Sequence, residues 1–496
     1  MRRFKKIIPI LILPAFLLVN VSCGKKLTDY NVDPNKMPYG KVMPESLLEE
    51  LLMNTATINI SRTYSFAANL VQHSVSFSSS ISYDRYYVPT SSVISLWNDF
   101  YKWTSDAEHL RLISEKQENI ACEAIGIIIK SYLIQTLTDT FGYVPYLEAF
   151  KSEEGNRTPA FDSQESVYRK ILIDLMNVNS MLSKKLTLDN PSRDLLFGGD
   201  MNKWRKFGNS LLLRCCMRLS NRNDVIDVKS IVSDICNIPD KWPVFEKLED
   251  APVFYFDDVA PFINPLGDKL TFESQYHASE FMIDMMLSYS DPRISFYFKK
   301  NGSTWKGAES GVEPQDMSWS GVARLNGENL ASYDSPYSLM RYDELLFLKA
   351  EAAQRGWISL DAETLYNDAI TASIKYWASI AGKTVSTADI NNYLTIVSYD
   401  GSLRQLMTQK YIALFGAGFE AWNEIRRTGF PHLPIGSGTL NDHILPTRLM
   451  YPVTERQNSP KAYSDVVSEL SSRYKGGDNM KTPVWWSLMA INQNIK

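Results

Sequence analysis

Five aromatic side chains in two irregular segments are the best candidates for ligand binding in this sequence. Tyr83, Tyr86 and Tyr87 lie in a Ser-rich stretch with turn signals, and Trp305 and Trp319 lie in a Gly-rich stretch further along. A sugar presents flat apolar C–H faces ringed by hydroxyls, and an exposed aromatic ring with polar groups at its edge can hold such a face. We therefore predict ligand contacts at these five rings. The alternative is that they are loop residues packed onto the body of the protein.

Motifs for catalysis or for metal binding are missing from the sequence. The chain has no HExxH motif, no CxxC pair, no Walker loop, no GxSxG elbow and no GxGxxG after a predicted strand. Asp and Glu are plentiful, so a glycosidase-type carboxylate pair is compatible with the composition, but nothing marks one pair over another. We predict no catalytic residue, no metal and no cofactor. The histidines lack metal-ligand spacing: His73, His109, His277, His432 and His443.

The N-terminus has the pattern of an export signal that ends at Cys23. A basic start, MRRFKK, precedes the apolar run 7–19, which is shorter than the ~20 residues of a membrane-spanning helix. A small serine then precedes Cys23, the position at which a bacterial lipoprotein signal is cut and the cysteine is acylated. Residues 1–22 are thus predicted to be a lipoprotein signal peptide, and residues 23–43 a lipidated, flexible tether. The alternative for this segment is a buried first helix.

The composition is that of an ordinary globular protein. Hydrophobic residues make up 44% of the 496 residues and charged residues 22%, which disfavours collagen-like, coiled-coil and disordered classes. The formal net charge is −4, whereas a nucleic-acid-binding protein usually carries a clear basic excess. We therefore expect no nucleic-acid partner.

Helical periodicity dominates the rest of the chain, and helices must therefore position the aromatic segments. Segments 120–138 and 201–220 are apolar nearly all round, which predicts buried helices. Segments 340–354 and 361–377 predict a helix pair closed by Gly356 and restarted by an Asp cap, with alanines at close-approach spacing. The fold class is predicted to be all-α, with tetratricopeptide-like helix pairs, irregular loops and a few short strands.

Charged residues near the C-terminus favour a structural role. Glu420, Glu424, Arg426 and Arg427 have the spacing of ion pairs on one helix, with Trp422 packed beneath them. We interpret this group as scaffold and not as a binding site.

Six segments, spread in order along nearly the whole chain, match one common set of motifs. Together they resemble the SusD/RagB-type (SusD-like) outer-membrane lipoproteins. The segments are DYNVDPNK (29–36), LTDTFGYVPYLEAF (137–150), GGDMNKWRKFGNSLLLRCCMRLSN (198–221), MRYDELLFLKAEAAQRGW (340–357), MTQKYIALFGAGFEAWNEIRRTGFP (407–431) and LPTRLMYPVTERQNSPKAY (445–463).

The resemblance implies a helical nutrient-binding domain over residues 44–496 and no catalysis. It also implies capture of a glycan or other nutrient at the cell surface, an outer-membrane location facing the exterior, and a SusC-like TonB-dependent transporter as partner. The family's sugar-contacting aromatic residues lie outside the shared motifs, so the resemblance assigns no ligand residue. Two other functions stay open: a surface glycan hydrolase with an unmarked Asp/Glu pair, and a tetratricopeptide adaptor that binds no ligand.

Overall fold

The computed structural model describes residues 42–77, 83–151, 155–474 and 476–489. The chain divides into two units, Met1–Met43 and Pro44–Lys496. The predicted signal peptide, Cys23 and all but two residues of the predicted tether lie outside the described residues.

The first half of the larger unit is a succession of long helices. The first helix continues through a π-helical turn, Thr63–Ala67, into a short α-helical turn. The helices are α1 (Pro44–Arg62), α2 (Ala68–Leu70), α3 (Thr90–Lys116), α4 (Ile120–Phe141), α5 (Gln164–Met181), α6 (Met201–Arg218) and α7 (Val228–Asn237).

Shorter helices alternate with loops in the second half before long helices return. They are α8 (Lys269–Gln275), α9 (Glu280–Ser288), α10 (Ile294–Tyr297), α11 (Gly327–Leu330), α12 (Tyr342–Gln354), α13 (Ala362–Ile380), α14 (Thr387–Ile396), α15 (Leu403–Ala413), α16 (Glu420–Thr428), α17 (Val453–Asn458) and α18 (Pro460–Arg473).

Strands are short and form two small antiparallel sheets. The strands are β1 (Ser74–Ser76), β2 (Val253–Phe254), β3 (Tyr276–Ala278), β4 (Phe298–Lys299), β5 (Arg324–Leu325) and β6 (Tyr337–Ser338). The larger sheet has the order β1-β3-β5-β4, and the smaller one pairs β2 with β6. In the larger sheet His277 lies opposite both Val75 and Arg324. The predicted all-α class with a few short strands is confirmed.

Antiparallel helix pairs pack closely where the sequence supplies small residues. In the α3–α4 pair, a Cβ on Gly126 would lie 3.0 Å from the backbone nitrogen of Arg111, so a larger residue there would push the two helices slightly apart. α4 is long and apolar enough to cross a membrane, yet 83% of its most apolar window is buried inside the protein. It is therefore the core helix that the sequence predicts.

The α12–α13 pair forms as predicted. Gly356 follows α12 with a φ of +67°, a left-handed conformation that favours glycine. The carboxylate of Asp361 accepts a hydrogen bond from the Thr364 backbone N–H at 2.7 Å and caps α13. Ala350 and Ala369 are fully buried, as close helix packing requires.

A cluster of buried charges ties together helices that are far apart in sequence. We call Asp139, Arg218, Glu351, Glu424 and Arg427 the buried ion cluster. Arg218 bonds to Asp139 at 3.2 Å and to Glu424 at 2.6 Å, while Arg427 bonds to Glu351 and to Glu424, each at 2.5 Å. These residues belong to α4, α6, α12 and α16, so the cluster joins four of the six matched segments. Of the charges predicted to pair on α16, Glu424 pairs with Arg427 within the helix, and Glu420 pairs with Arg218 on α6. Arg426 instead donates to the backbone carbonyls of Asp139 and Thr447. The contacts of Glu420 and Arg426 join helices and loops to each other, as a scaffold does.

Burial and neighbouring charges act in opposite directions on the carboxylates of this cluster. Burial alone would raise the pKa of Glu424, but the charges of Arg427, Lys410 and Arg218 outweigh burial and hold that pKa well below its usual value. The pKa of Asp139 is raised because burial outweighs the attraction of Arg218. Trp422 is fully buried on α16, with the Arg426 guanidinium 3.6 Å from its ring centroid, as the scaffold interpretation expects.

Candidate functional site

The two segments with the predicted ligand residues lie against each other. Asp84 accepts a hydrogen bond from the Gly311 backbone N–H at 2.9 Å, and Arg85 forms an ion pair with Glu313 at 2.5 Å. Arg85 also donates from Nε to the Gly438 carbonyl at 2.9 Å. Segments more than two hundred residues apart in the chain therefore meet at one place on the surface.

The three predicted tyrosines differ in exposure. Tyr83 is 7% exposed, packs edge-on against Phe66 and donates its hydroxyl hydrogen to Ser92. Tyr86 is 1% exposed, and its burial, with the nearby charge of Asp84, raises the pKa of its hydroxyl to about 12. These two rings are core residues in this structure and offer no open face. Tyr87 is 47% exposed, so its predicted ligand contact remains sterically available.

Trp305 is half-buried and lies beside a positive charge. The Lys300 ammonium is 5.1 Å from its ring centroid, a cation–π distance, and the ring also packs against the main core. The structure thus gives Trp305 a partner on one side, and its predicted contact with a ligand stays a prediction.

Trp319 belongs to an aromatic group at the open side of the larger sheet. We call Phe77, His277 and Trp319 the aromatic edge. The centroid of Trp319 lies 5.0 Å from that of Phe77, in a T-shaped arrangement, and 4.7 Å from that of His277. Phe77 is 56% exposed, which is unusual for a phenylalanine anchored in a packed cluster. Its ring is an open apolar face held in place by its neighbours.

The aromatic edge rests on a rigid base. The Phe77 backbone N–H donates to the Gln275 carbonyl at 2.7 Å, which extends the pairing of β1 with β3. Beneath Trp319, the fully buried side chains of Val75 and Val322 form a small apolar cluster of their own. A ring on such a base has already lost most of its conformational freedom, which favours ligand binding.

Polar groups flank the aromatic edge. Burial, with the nearby positive charge of Arg324, lowers the pKa of His277 to about 4, so its ring is neutral at physiological pH. The Nε of Arg324 is buried and has no hydrogen-bond partner among the described residues. An open aromatic ring on a rigid base suits a ligand with a flat apolar face.

Sequence reasoning missed Phe77 and His277. The available signal was a large apolar residue placed directly before a serine run, where the chain leaves a strand. His277 was noted only as a scattered histidine, because the pairing of β1 with β3 brings it to Phe77 from two hundred residues away. In the part of the chain that the structure describes, no group of three or more His, Cys, Asp or Glu side chains could hold a metal ion.

Two cavities lie near these elements. One of about 640 Å³ is lined by Asn264, Phe272, Tyr276 and Tyr333, among others. The other, of about 480 Å³, lies between α9 and the loops at Ser310 and Gly436. The second cavity adjoins the contact that joins the 83–87 and 310–313 segments.

Known structures share this architecture at low sequence identity. A chitin-binding protein and a SusD homologue from Bacteroides fragilis each superpose with a TM-score of 0.77 at 24% identity, covering 90% of this chain and 100% of theirs. A putative outer-membrane protein from Bacteroides vulgatus, described as probably involved in nutrient binding, superposes with a TM-score of 0.75 at 24% identity over the same shares. These similarities establish the fold. No curated protein sequence matches the chain.

The amino-acid sequence also matches the model of a protein family. The SusD-like model described as "Starch-binding associating with outer membrane" matches residues 34–452, most of the chain. That range contains four of the six matched segments in full and parts of the first and the last. It also contains the helix pairs and the aromatic edge. The chain therefore belongs to the SusD-like family of proteins associated with the outer membrane.

Proposed function

We propose that this protein captures an oligosaccharide at the cell surface and passes it to a SusC-like TonB-dependent transporter. The observation that carries the proposal is the aromatic edge, where the exposed Phe77 ring is fixed against Trp319. The description of the family as starch-binding and the chitin-binding protein of the same fold support a glycan as the ligand. The protein acts as a receptor without catalysis.

Glycan binding is tested with variants of the aromatic edge. The chain is titrated calorimetrically with a panel of starch- and chitin-derived oligosaccharides. For the oligosaccharide that binds best, Phe77→Ala and Trp319→Ala should each weaken binding by roughly tenfold, the effect of about 1.4 kcal/mol. Tyr255→Ala is the matched control, since Tyr255 is 72% exposed and lies on a different segment. Absence of binding across the panel would refute the proposal.

The same incubation separates a receptor from a glycan hydrolase. The oligosaccharides are recovered after incubation and their lengths are measured. A receptor returns them intact, whereas shortened products would establish the hydrolase alternative. Tight association with a transporter and no glycan binding would instead establish the adaptor.

We further propose that Cys23 is the lipidated N-terminus, that residues 23–43 are a tether, and that the body 44–496 is held at the exterior face of the outer membrane. The signal pattern before Cys23 supports this. The Cys23→Ala variant should leave the membrane fraction in cells that lack the transporter. In cells that have it, pull-down of the wild-type protein from native membranes should recover a β-barrel transporter. Retention of the variant in the membrane fraction would contradict the lipid anchor.

A further inference from the structure

The cavity of about 640 Å³ beside α8 has a lining that is polar but offers no positive charge. None of the described residues that line it is Lys, Arg or His. Asp268 lines it, but its carboxylate caps α8: it accepts from the backbone N–H groups of Leu270 and Thr271 and from the Thr271 hydroxyl. The volume lies within the range of small-molecule sites, about 300–1,000 Å³. A ligand that suits this lining is therefore small and carries no negative charge.

Three aromatic rings line this cavity. Tyr333 is 52% exposed, and its ring lies across the backbone of Gly267, where a Cβ would be 2.4 Å from the Tyr333 Cδ1 atom. The Asn264 backbone N–H donates to the Tyr333 carbonyl at 2.8 Å and holds that residue in place. The centroids of the Tyr276 and Phe272 rings are 5.0 Å apart. The cavity thus offers a fixed aromatic surface of which the Tyr333 ring is the open part, as stacking on a sugar face requires.

Four side chains that line the cavity have hydrogen-bonding groups to spare. Those of Ser61, Ser65, Gln275 and Tyr333 form no hydrogen bond within the part of the chain that the structure describes. None of the four residues is buried, so a ligand can reach them by displacing water. They supply three hydroxyls and one amide, and each of these groups both donates and accepts. Sugar hydroxyls need partners of this kind, because they also donate and accept.

The loop that forms much of the lining is fixed from within. Asn264 is 1% exposed, its amide nitrogen donates to the Ser335 carbonyl at 3.0 Å, and its Oδ1 accepts from the Leu266 backbone N–H at 2.9 Å. A Cβ on Gly267 would lie 2.6 Å from the Asn264 carbonyl oxygen, so the loop turns tightly here. The shape of the cavity is therefore set before a ligand arrives, which lowers the entropic cost of binding.

This cavity and the aromatic edge lie on opposite faces of β3. Successive side chains of a strand point to opposite faces, so Tyr276 in the cavity and His277 at the aromatic edge point away from each other. Gln275 joins the two places through the backbone, since its carbonyl accepts from the Phe77 N–H while the residue lines the cavity. Two ligands can therefore occupy the two places at the same time.

We propose that this cavity is a second glycan site, which binds a neutral sugar ring against Tyr333 with the Gln275 amide and the serine hydroxyls at its rim. The proposal rests on the proposed function in that its ligand is a glycan. It adds a second place of capture on each chain, independent of the aromatic edge. It also predicts that acidic sugars are rejected, because the lining has no cation to pair with a carboxylate.

Equilibrium dialysis counts the sites. The probes are maltotriose and the trimer of β-1,4-linked N-acetylglucosamine, each over a range of concentrations. The wild-type chain should bind two molecules of at least one probe, and the double variant Phe77→Ala/Trp319→Ala should keep one site. Adding Tyr333→Ala to that double variant should weaken the remaining site by roughly tenfold. Adding Tyr255→Ala is the matched control and should leave it unchanged, since Tyr255 is exposed and does not line the cavity.

A second substitution and an acidic competitor sharpen the test. Gln275→Leu in the same double variant keeps the size of the side chain but removes the amide, so it should also weaken the remaining site. The trimer of galacturonic acid should not displace the bound probe from that site. Melting temperatures show that each variant is folded.

Several outcomes would overturn the inference. A single site in the wild type that disappears in Phe77→Ala/Trp319→Ala would refute it and leave the proposed function standing. A remaining site that tolerates both Tyr333→Ala and Gln275→Leu would lie elsewhere and refute it too. Displacement of the probe by the galacturonic acid trimer would contradict the preference for neutral sugars. If no oligosaccharide of the panel binds, the proposed function fails as well.

Discussion

Arg218 on α6 donates from Nη1 to Oε1 of Glu424 on α16 across 2.6 Å, and the two residues are 206 positions apart in the chain. Both side chains are buried, so the bond forms in a medium of low polarity. Glu424 also accepts from Lys410 at 2.8 Å. One carboxylate on a short helix therefore balances several cations from other parts of the fold.

Glu424→Ala should strongly destabilise the protein. Removing the carboxylate leaves Arg218, Arg427 and Lys410 with too little negative charge in a buried site, and breaking a buried pair costs about 3–5 kcal/mol. Urea denaturation measures the free energy of unfolding. Glu469→Ala is the control, because Glu469 forms an exposed pair with Arg473 and its loss should cost less than about 1 kcal/mol. Equal effects of the two variants would show that the cluster is not important for stability.

Stability should fall in mild acid because of His73. Burial lowers the pKa of His73 to about 3 from 6.5, while its Nε2 lies 3.1 Å from the Tyr411 carbonyl oxygen. In the unfolded chain His73 is therefore protonated below about pH 6.5, whereas in the folded chain it stays neutral until about pH 3. Above pH 6.5 the neutral His73 costs the folded state nothing, and its full contribution to the free energy of unfolding is present. That contribution is lost as the pH falls toward 3, by up to about 1.4 kcal/mol for each pH unit.

The His73→Gln variant isolates this effect, since glutamine can still donate to the carbonyl but does not titrate in this range. Urea denaturation at about pH 7 and about pH 5.5 should show that the wild type loses roughly 1 kcal/mol more than the variant. His277 contributes equally to both proteins and cancels. Parallel losses in the two proteins would contradict the lowered pKa.

Ala350→Leu should destabilise the α12–α13 pair. Ala350 is fully buried where the two helices approach, so the larger side chain must displace packed neighbours at a cost of about 1–3 kcal/mol. Ala388→Leu on α14 is the control, because Ala388 is exposed. Thermal melting compares the two variants, and an unchanged melting temperature for Ala350→Leu would mean that the helices can separate at little cost.

Tyr86→Ala and Tyr87→Ala should behave oppositely although the residues are adjacent. Tyr86 is 1% exposed, so its truncation should leave a cavity that costs about 3–5 kcal/mol. Tyr87 is 47% exposed, and its truncation should leave the free energy of unfolding within about 0.5 kcal/mol. Urea denaturation curves measure the free energy of unfolding of both variants. Similar losses of that free energy would contradict the difference in burial between Tyr86 and Tyr87.

The helical part of this fold was predictable because its signals are local. Periodicity located α4 and α6, and an Asp cap and a glycine located the ends of α13 and α12. The charge spacing on α16 predicted ion pairs but not their partners, because Glu351 and Arg218 come from helices that only the tertiary fold brings near.

The candidate site was less predictable because exposure depends on distant contacts. Tyr83, Tyr86 and Tyr87 have the same residue type and lie in the same segment, so the sequence cannot rank their exposure. Contacts from elsewhere decide it. Phe66 packs against Tyr83, and the loop at 311–313 is held against the segment by Asp84 and Arg85. The aromatic edge needs β1 to pair with β3, a long-range pairing of only three residues on each strand. Strands this short leave almost no pattern in the sequence.

The buried ion cluster also affects when the chain can fold during its synthesis. Its charges come from positions 139, 218, 351, 424 and 427, so it cannot close until nearly nine-tenths of the polypeptide has been synthesised. Before then Arg218 would have to leave water with Asp139 alone, which strongly disfavours collapse of the N-terminal helices around it. We expect the packing of α4 against α6 around Arg218 to be completed only after α16 has emerged.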